Sequence, residues 1–156
     1  MMPQQKPHQS KQDYQTPTNF IAAVKGRLKI EEFTFDFAAS VDNSQAQWNY
    51  WGIKIDALSQ PPTQWYSRRK QGWGWLNPPF ARLGPWAKRC LETKNLGGSI
   101  ALLVPAAVGS NWFRDYVDGT AYVLFLNGRL AFIPDKPTWL YPKDCMLCLY
   151  QLGLDP

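Results

Sequence analysis

The chain has 156 residues, of which 45% are hydrophobic and 19% are charged, a composition typical of a single soluble globular domain. Its formal net charge of +5 is a mild basic bias that is compatible with a polyanionic partner. No apolar stretch is long enough to cross a membrane and no signal peptide opens the sequence, so we expect a cytoplasmic protein without a membrane partner.

The first half of the chain alternates polar segments with short apolar ones. Residues 1–12 are polar apart from the starting methionines, and we expect this tail to be disordered. Aromatic and β-branched residues indicate strands, whereas clustered prolines and polar residues indicate loops. The later segments are, in order, a turn at 13–17, a helix at 18–24, a strand at 33–37, at most a short helix at 46–50, a strand at 52–55 and a polar loop at 59–71.

The second half of the chain predicts strands separated by helices and then by a hairpin. The continuous apolar run 99–104 is typical of a strand that is buried on both faces. Asn127-Gly128 is a strong signal for a hairpin turn. The predicted elements are strands at 73–76, 99–104, 121–125, 129–132 and 145–152, and helices at 83–94 and 111–117. We therefore expect one compact α/β domain over residues 13–156, with a mainly parallel sheet and an antiparallel C-terminal edge.

The three cysteines do not indicate a disulfide scaffold or a metal site. Cys145 and Cys148 have the C-x2-C spacing of a zinc site, but there is no second pair, and the lone histidine, His8, lies in the polar tail. Both cysteines fall in an apolar run, so we interpret them as buried thiols of a closing strand. We expect no metal.

The segment Asn77-Pro78-Pro79-Phe80 follows a predicted strand and could hold a planar base that carries an amino group. Each proline fixes its own φ near about −65°, and Pro79 keeps Pro78 out of the helical region, so the Pro78 carbonyl has a set direction. The side-chain oxygen of Asn77 and the Pro78 carbonyl oxygen could accept both hydrogens of one NH2 group, while Phe80 stacks on the ring. The alternative is a rigid turn with a packed aromatic ring, and these residues alone leave both readings open.

Polar side chains lie at three predicted strand ends. Asp36 and Asp56 are at the carboxyl ends of the first two strands, and Asn77 follows the third. Ligands of open α/β sheets bind outside the carboxyl ends of the strands. A single acid at such a position would mean little, but three polar groups together with the proline turn favour a binding site.

These segments resemble the phage DNA N-6-adenine methyltransferases, a Dam-like family of class I S-adenosylmethionine-dependent enzymes. The resemblance runs from about Asp13 to Leu149. It is carried by Asn77-Pro78-Pro79-Phe80, Gln15-Thr16-Pro17, Phe33-Thr34-Phe35-Asp36-Phe37-Ala38-Ala39-Ser40, Asp56-Ala57-Leu58, Leu103-Val104-Pro105-Ala106, Trp112-Phe113 and Leu126-Asn127-Gly128-Arg129-Leu130-Ala131-Phe132. It implies a Rossmann-like methyltransferase domain that methylates N6 of adenine in double-stranded DNA, in the host cytoplasm if a phage encodes it, and it assigns no oligomeric state.

The resemblance also implies a role for each matching residue. Asn77, Pro78, Pro79 and Phe80 would grip the target adenine. The cofactor would be S-adenosylmethionine, with Asp36 pairing with its ammonium and Asp56 accepting from its adenine amino group. The remaining expected cofactor contacts are Thr16 and Pro17 at the methionine end, and Phe37 and Ala38 after Asp36. The chain departs from the wider class in lacking the glycine-rich loop after the first strand and a clear ribose-binding acid.

Contacts to DNA phosphates are expected from basic residues. The best candidates are Arg68, Arg69 and Lys70 in the predicted loop 59–71, although a solvated basic loop is an equal alternative. Arg129 either meets a phosphate or stabilises the hairpin. The rival functions are a catalytically silent nucleic-acid-binding relative and a cytosine-N4 methyltransferase, which would grip the same kind of amine.

Overall fold

The described part of the chain, residues 16–40, 42–69, 71–130 and 141–156 of a computed structural model, contains five strands and four α-helices. The strands are β1 (Phe35–Asp36), β2 (Trp73–Leu76), β3 (Ser99–Pro105), β4 (Tyr122–Phe125) and β5 (Cys145–Tyr150). The helices are α1 (Thr18–Leu28), α2 (Pro62–Arg69), α3 (Gly84–Asn95) and α4 (Asn111–Tyr116), and a short 3-10 helix spans Ala57–Ser59. The predicted disordered tail, residues 1–12, lies outside the described residues.

The strands form one mixed sheet in the order β1-β2-β3-β5-β4. β1 pairs with β2 and β2 pairs with β3 in parallel, whereas β5 is antiparallel to both β3 and β4. This confirms the predicted α/β class with an antiparallel C-terminal edge.

Helices cover both faces of the sheet because the central strands are apolar on both sides. All seven residues of β3 are buried, as the continuous apolar run predicted. Along this strand, Leu102 and its alternate neighbours face a cluster that includes Trp65 of α2 and Cys90 of α3. Leu103, on the opposite face, packs in a cluster with Ile21 of α1. Most of the predicted elements of the second half are confirmed with small shifts of their ends.

Helix α2 occupies most of the region 59–71, so the prediction of a polar loop there was wrong. Pro62 stands at the first helical position, where its fixed φ favours a helix and its missing N–H costs nothing. The Trp65 side chain is fully buried and stacks on Phe37, with ring centroids 4.3 Å apart. Trp65 Nε1 also donates to the Ala57 carbonyl at 2.9 Å. This helix therefore depends on contacts with distant residues that its own sequence does not show.

The predicted second strand at 52–55 was also wrong. Its backbone forms a turn in which Ile55 N donates to the Gly52 carbonyl at 3.1 Å. The Ile53 side chain, which the strand pattern would bury, is 86% exposed. Among the described residues, a single parallel bridge, between Asp36 and Tyr50, extends the sheet at this edge. Residues 46–50 form a turn that ends at this bridge, and no helix.

The predicted hairpin around Asn127-Gly128 is covered only in part by the described residues. Gly128 has a φ of +85°, which suits a turn, but β4 pairs with β5. Residues 129–130 carry no strand structure, and the rest of the predicted strand, 131–132, lies outside the described residues.

The two cysteines of the C-x2-C pair are buried in β5 with free thiols, as predicted. Burial raises the pKa of Cys145 and of Cys148 to about 12, so both stay protonated at neutral pH. Across the described ranges, no group of three metal-ligating side chains comes together. None of the helices described has the length and apolarity that a membrane span requires.

Candidate active site

At β1, the edge strand of the sheet, the chain contacts the strand from one side before it pairs with it from the other. Asp36 N donates to the Asn49 carbonyl at 2.9 Å, and Trp51 N donates to the Asp36 carbonyl at 3.0 Å. The neighbouring Phe37 N instead donates to the Trp75 carbonyl of β2 at 3.0 Å. The chain thus extends to one side of β1 before it crosses to β2 on the other. Ligands of open α/β sheets bind outside the carboxyl ends of strands.

Asn77 is the first residue after β2 at this end of the sheet, and its amide is half satisfied. The Nδ2 group donates to Thr16 Oγ1 at 3.2 Å. The Oδ1 atom is buried and accepts no hydrogen bond within the described residues. Since most buried polar atoms have a partner, and an unpaired one costs about 1–3 kcal/mol, this oxygen is a candidate ligand contact.

A second acceptor follows directly in the chain. Pro78 is buried, and no hydrogen bond from the part of the chain that the structure describes reaches its carbonyl oxygen. Pro79 restricts the backbone of Pro78 to extended conformations, which sets the direction of that carbonyl. Two acceptors on adjacent residues, one from a side chain and one from the backbone, are therefore held on a stiff turn.

An aromatic pair lies next to these acceptors. Phe80 is half-buried, and its ring meets Tyr141 edge to face with centroids 5.3 Å apart. The sequence analysis did not single out Tyr141. The signal that could have found it is its position as an aromatic residue directly before Pro142, shortly before the last strand. Burial raises the pKa of Tyr141 to about 12, so its hydroxyl remains neutral and can donate a hydrogen bond.

Asp36, the last residue of β1, is a buried carboxyl that is 2% exposed. Its Oδ1 accepts from Ala38 N at 3.2 Å, and its Oδ2 accepts from Gln45 N at 2.9 Å. Burial raises the pKa of Asp36 to about 7, against the opposing effect of these two hydrogen bonds. The group shapes the loop after β1 and is poised to change charge near neutral pH.

The other residues expected at the cofactor differ in what they expose. The Phe37 side chain is fully buried in the core against Trp65, so only its backbone could face a ligand. Ala38 is buried beside Asp36, and Pro17 is half-buried at the start of α1. Thr16 is buried and bonded to Asn77.

Asp56 lies in the exposed connection between Tyr50 and α2. Its Oδ1 accepts from Leu58 N at 3.1 Å and caps the short 3-10 helix. Arg89 of α3 donates through Nη2 to the Leu58 carbonyl at 3.2 Å, which fixes this connection to the body of the domain. The Asp56 carboxylate is thus held in place by the hydrogen bond that its Oδ1 accepts.

Comparison with known proteins places this sequence in a family. The model of the DNA N-6-adenine-methyltransferase (Dam) family matches residues 4–140. The chain belongs to this family. It is also similar to the DNA N-6-adenine-methyltransferase of Escherichia phage T1, with 26% identity over 135 residues. That match covers 77% of this chain and 53% of the phage T1 protein, so the chain spans about half the length of the curated relative it matches. No solved structure matches.

The basic residues of this Dam-family chain lie at different ends of the sheet. Arg68 is exposed near the end of α2, which leads into the amino end of β2. The Arg69 side chain and Lys70 lie outside the described residues. Arg129 Nε is 3.7 Å from Asp144 Oδ1, an ion pair that joins the segment after β4 to the start of β5.

One further arginine was missed by the sequence analysis. Arg82 is exposed, follows Phe80 by two residues and stands just before α3, at the carboxyl end of β2. It forms no ion pair with any described residue. Its closeness in sequence to the Asn-Pro-Pro-Phe turn was the signal that could have found it.

Proposed function

We propose that this protein transfers a methyl group from S-adenosylmethionine to N6 of adenine in double-stranded DNA, on a Rossmann-like domain formed by residues 13–156. The observation that carries the proposal is the buried Oδ1 of Asn77, unpartnered among the described residues, at the carboxyl end of β2. Family membership supports the adenine target, and the topology of the described sheet is compatible with the Rossmann-like domain.

The acceptors of the Asn-Pro-Pro-Phe turn would act on the target amine directly. The lone pair of adenine N6 is delocalised into the ring, which makes the nitrogen a poor nucleophile. Asn77 Oδ1 and the Pro78 carbonyl oxygen would each accept one N6 hydrogen, which favours a tetrahedral nitrogen and stabilises the positive charge that develops on it. Because these dipoles are oriented before the reaction, they need little reorganisation, and no base has to remove a proton first.

The residues around Asp36 fit the amino-acid end of S-adenosylmethionine. Each Asp36 oxygen accepts one backbone hydrogen bond and keeps lone pairs for a cationic donor. A cofactor ammonium would offset the burial that now raises the pKa of this carboxyl. Asp56 Oδ2 would accept from the cofactor's adenine amino group, and Pro17 and the Ala38 backbone would line the site. When bound, the cofactor supplies the sulfonium methyl group.

An adenine in a duplex must leave the stack to reach this turn, at a cost of a few kcal/mol. Stacking on the aromatic side chain of Phe80 would return about 1–3 kcal/mol. Phosphate contacts would supply part of the rest, and Arg82 is better placed for them than Arg68 because it lies at the same end of the sheet as Asn77. Arg129 is engaged by Asp144 and contributes less in this proposal.

The proposal is tested by the methylation state of DNA from cells that express the protein. We expect N6-methyladenine in cells with the parent and none above background with Asn77→Ala. N4-methylcytosine instead would identify a cytosine enzyme.

A second measurement distinguishes an enzyme from a silent binder. Saturating S-adenosylmethionine should raise the unfolding midpoint of the parent, because a ligand that binds the native state stabilises it. No methylated base and no shift of the midpoint would contradict the proposed function and favour a nucleic-acid-binding relative.

A further inference from the structure

Thr16 and Asn77 are far apart in the chain, yet their side chains meet at the candidate site. Asn77 Nδ2 donates to Thr16 Oγ1 at 3.2 Å, and Thr16 is only 3% exposed. This hydrogen bond accounts for one end of the Asn77 amide and leaves Oδ1 unpaired at the other end. The two ends of one amide therefore have different environments.

The orientation of this amide matters for the proposed chemistry. The two ends of an asparagine amide are similar in size, and its terminal torsion is roughly two-fold. One end is an acceptor and the other carries two donors. A rotated amide would present N–H groups to the N6 hydrogens of the target, which repels the amine that the site must grip.

Thr16 holds its hydroxyl at a fixed place beside the Asn77 amide. It precedes Pro17, which limits Thr16 to extended conformations. The Pro17 carbonyl accepts from Ile21 N at 3.1 Å and so starts α1, and Ile21 anchors this helix in the core. The Thr16 hydroxyl is therefore attached to the body of the domain and not to a free segment.

We infer that Thr16 is a positioning residue, whose hydroxyl holds Asn77 Nδ2 so that Asn77 Oδ1 faces the target amine. The inference rests on the proposed function. It differs from a contact with the methionine end of the cofactor, the role that the family resemblance implies for Thr16. Thr16 would touch neither substrate in this account, and would act through Asn77.

The test compares two variants with the parent in a methylation assay with labelled S-adenosylmethionine and plasmid DNA. Thr16→Val keeps the shape of the side chain and removes the hydroxyl, and we expect kcat to fall about tenfold, the equivalent of one net hydrogen bond. Thr16→Ser keeps the hydroxyl and should stay within about threefold of the parent. If Thr16→Val does not fold, Thr16→Ala is measured in its place.

Two further readouts separate positioning from a merely structural role. The Kd of S-adenosylmethionine, measured by calorimetry, should be the same for Thr16→Val and the parent. In an Asn77→Ala background, adding Thr16→Val should lower kcat no further, because the residue it acts through is gone.

Each contrary result has a distinct meaning. A weaker cofactor Kd with kcat preserved at saturating cofactor would make Thr16 a cofactor ligand and overturn the inference. Additive losses in the double variant, or an unchanged kcat in Thr16→Val, would also overturn it while the parent's activity keeps the proposed function. A parent without methylation activity would remove the proposed function and the inference together.

Discussion

The two ends of the sheet differ in how their polar groups and backbone are packed. At the carboxyl end, the chain leaves β2 through Asn77 and the two prolines, and a buried oxygen has no partner there among the described residues. At the amino end, the chain enters β2 through a closely packed glycine, because a Cβ on Gly72 would lie 2.4 Å from Thr34 Cγ2. The carboxyl end therefore has a polar atom without a partner among the described residues, whereas the amino end is tightly packed at Gly72.

We therefore expect the end of the sheet at which a side chain lies to decide its role in the proposed site more than its chemical type does. Arg68 and Arg82 are both exposed arginines. Arg68 lies where α2 turns into the amino end of β2, and Arg82 lies just after the Asn-Pro-Pro-Phe turn. Only Arg82 shares the carboxyl end with Asn77, so sequence composition treats as equal two residues that the fold separates.

The largest expected effect is on catalysis and compares two asparagines. Asn77→Ala removes one preoriented acceptor, and we expect the activation free energy to rise by about 2.7–4 kcal/mol. Cofactor binding should change little. The matched control is Asn95→Ala, an exposed residue at the end of α3 near the amino end of the sheet, which should leave kcat unchanged. Turnover of Asn77→Ala within twofold of the parent would contradict the comparison.

The next effect is on stability and concerns Gly74 of β2, which packs against Phe37. A Cβ on Gly74 would lie 2.5 Å from Phe37 Cε2, and that ring is stacked against Trp65. Gly74→Ala should lower the free energy of unfolding by about 1–3 kcal/mol, the usual cost of overpacking.

The control for this substitution is Gly26→Ala, in the exposed face of α1 where a Cβ would meet no atom within 4 Å. It should stabilise the protein by up to about 1 kcal/mol, because alanine favours helices. The unfolding free energies of both variants are measured by urea unfolding. If Gly74→Ala is as stable as the parent, the Phe37 ring can move aside.

A pH-dependent effect on stability tests the Asp36 carboxyl. Its folded pKa is raised to about 7 from an ordinary 3.8. Its stabilising contribution is therefore fully present below the unfolded pKa and is lost as pH rises through about 7. The difference in unfolding free energy between the parent and Asp36→Asn should fall with pH across this window, by up to about 1.4 kcal/mol per pH unit. A difference that does not change with pH would contradict the raised pKa.

The raised pKa of Asp36 also predicts how the affinity for the cofactor depends on pH. A cofactor ammonium favours the ionised form of Asp36, so S-adenosylmethionine should bind more tightly as pH rises toward about 7 and should release a proton on binding. Calorimetry in two buffers of different ionisation enthalpy measures that proton. Binding without proton release would place the ammonium elsewhere.

The smallest effect sharpens the comparison of the two arginines. If Arg82 contacts a phosphate, Arg82→Ala should reduce the slope of log affinity against log salt concentration by about 0.9. Arg68→Ala should leave the slope unchanged. Filter binding of a DNA fragment at several salt concentrations gives both values. The reverse result would move the DNA path to the amino end of the sheet.

Elements with an internal pattern were predictable, and elements that depend on distant contacts were not. The strand β3 and the helix α3 show their periodicity within their own residues, so both were identified with small shifts of their ends. Helix α2 has a polar, proline-bearing sequence, and it was missed because its anchor, Trp65, is buried against Phe37 on another element. Residues 52–55 have a strand pattern, but in the structure they form a turn in which Ile55 N donates to the Gly52 carbonyl.

The candidate site divides in the same way. The sequence by itself determined that Asn77, Pro78 and Pro79 form a stiff turn with two acceptors, because proline geometry and side-chain chemistry are local properties. Only the tertiary structure decided that Thr16 occupies one end of the Asn77 amide and leaves the other end unpaired. That outcome depends on how α1 docks beside β2, and packing between distant segments is not encoded in any short stretch of residues.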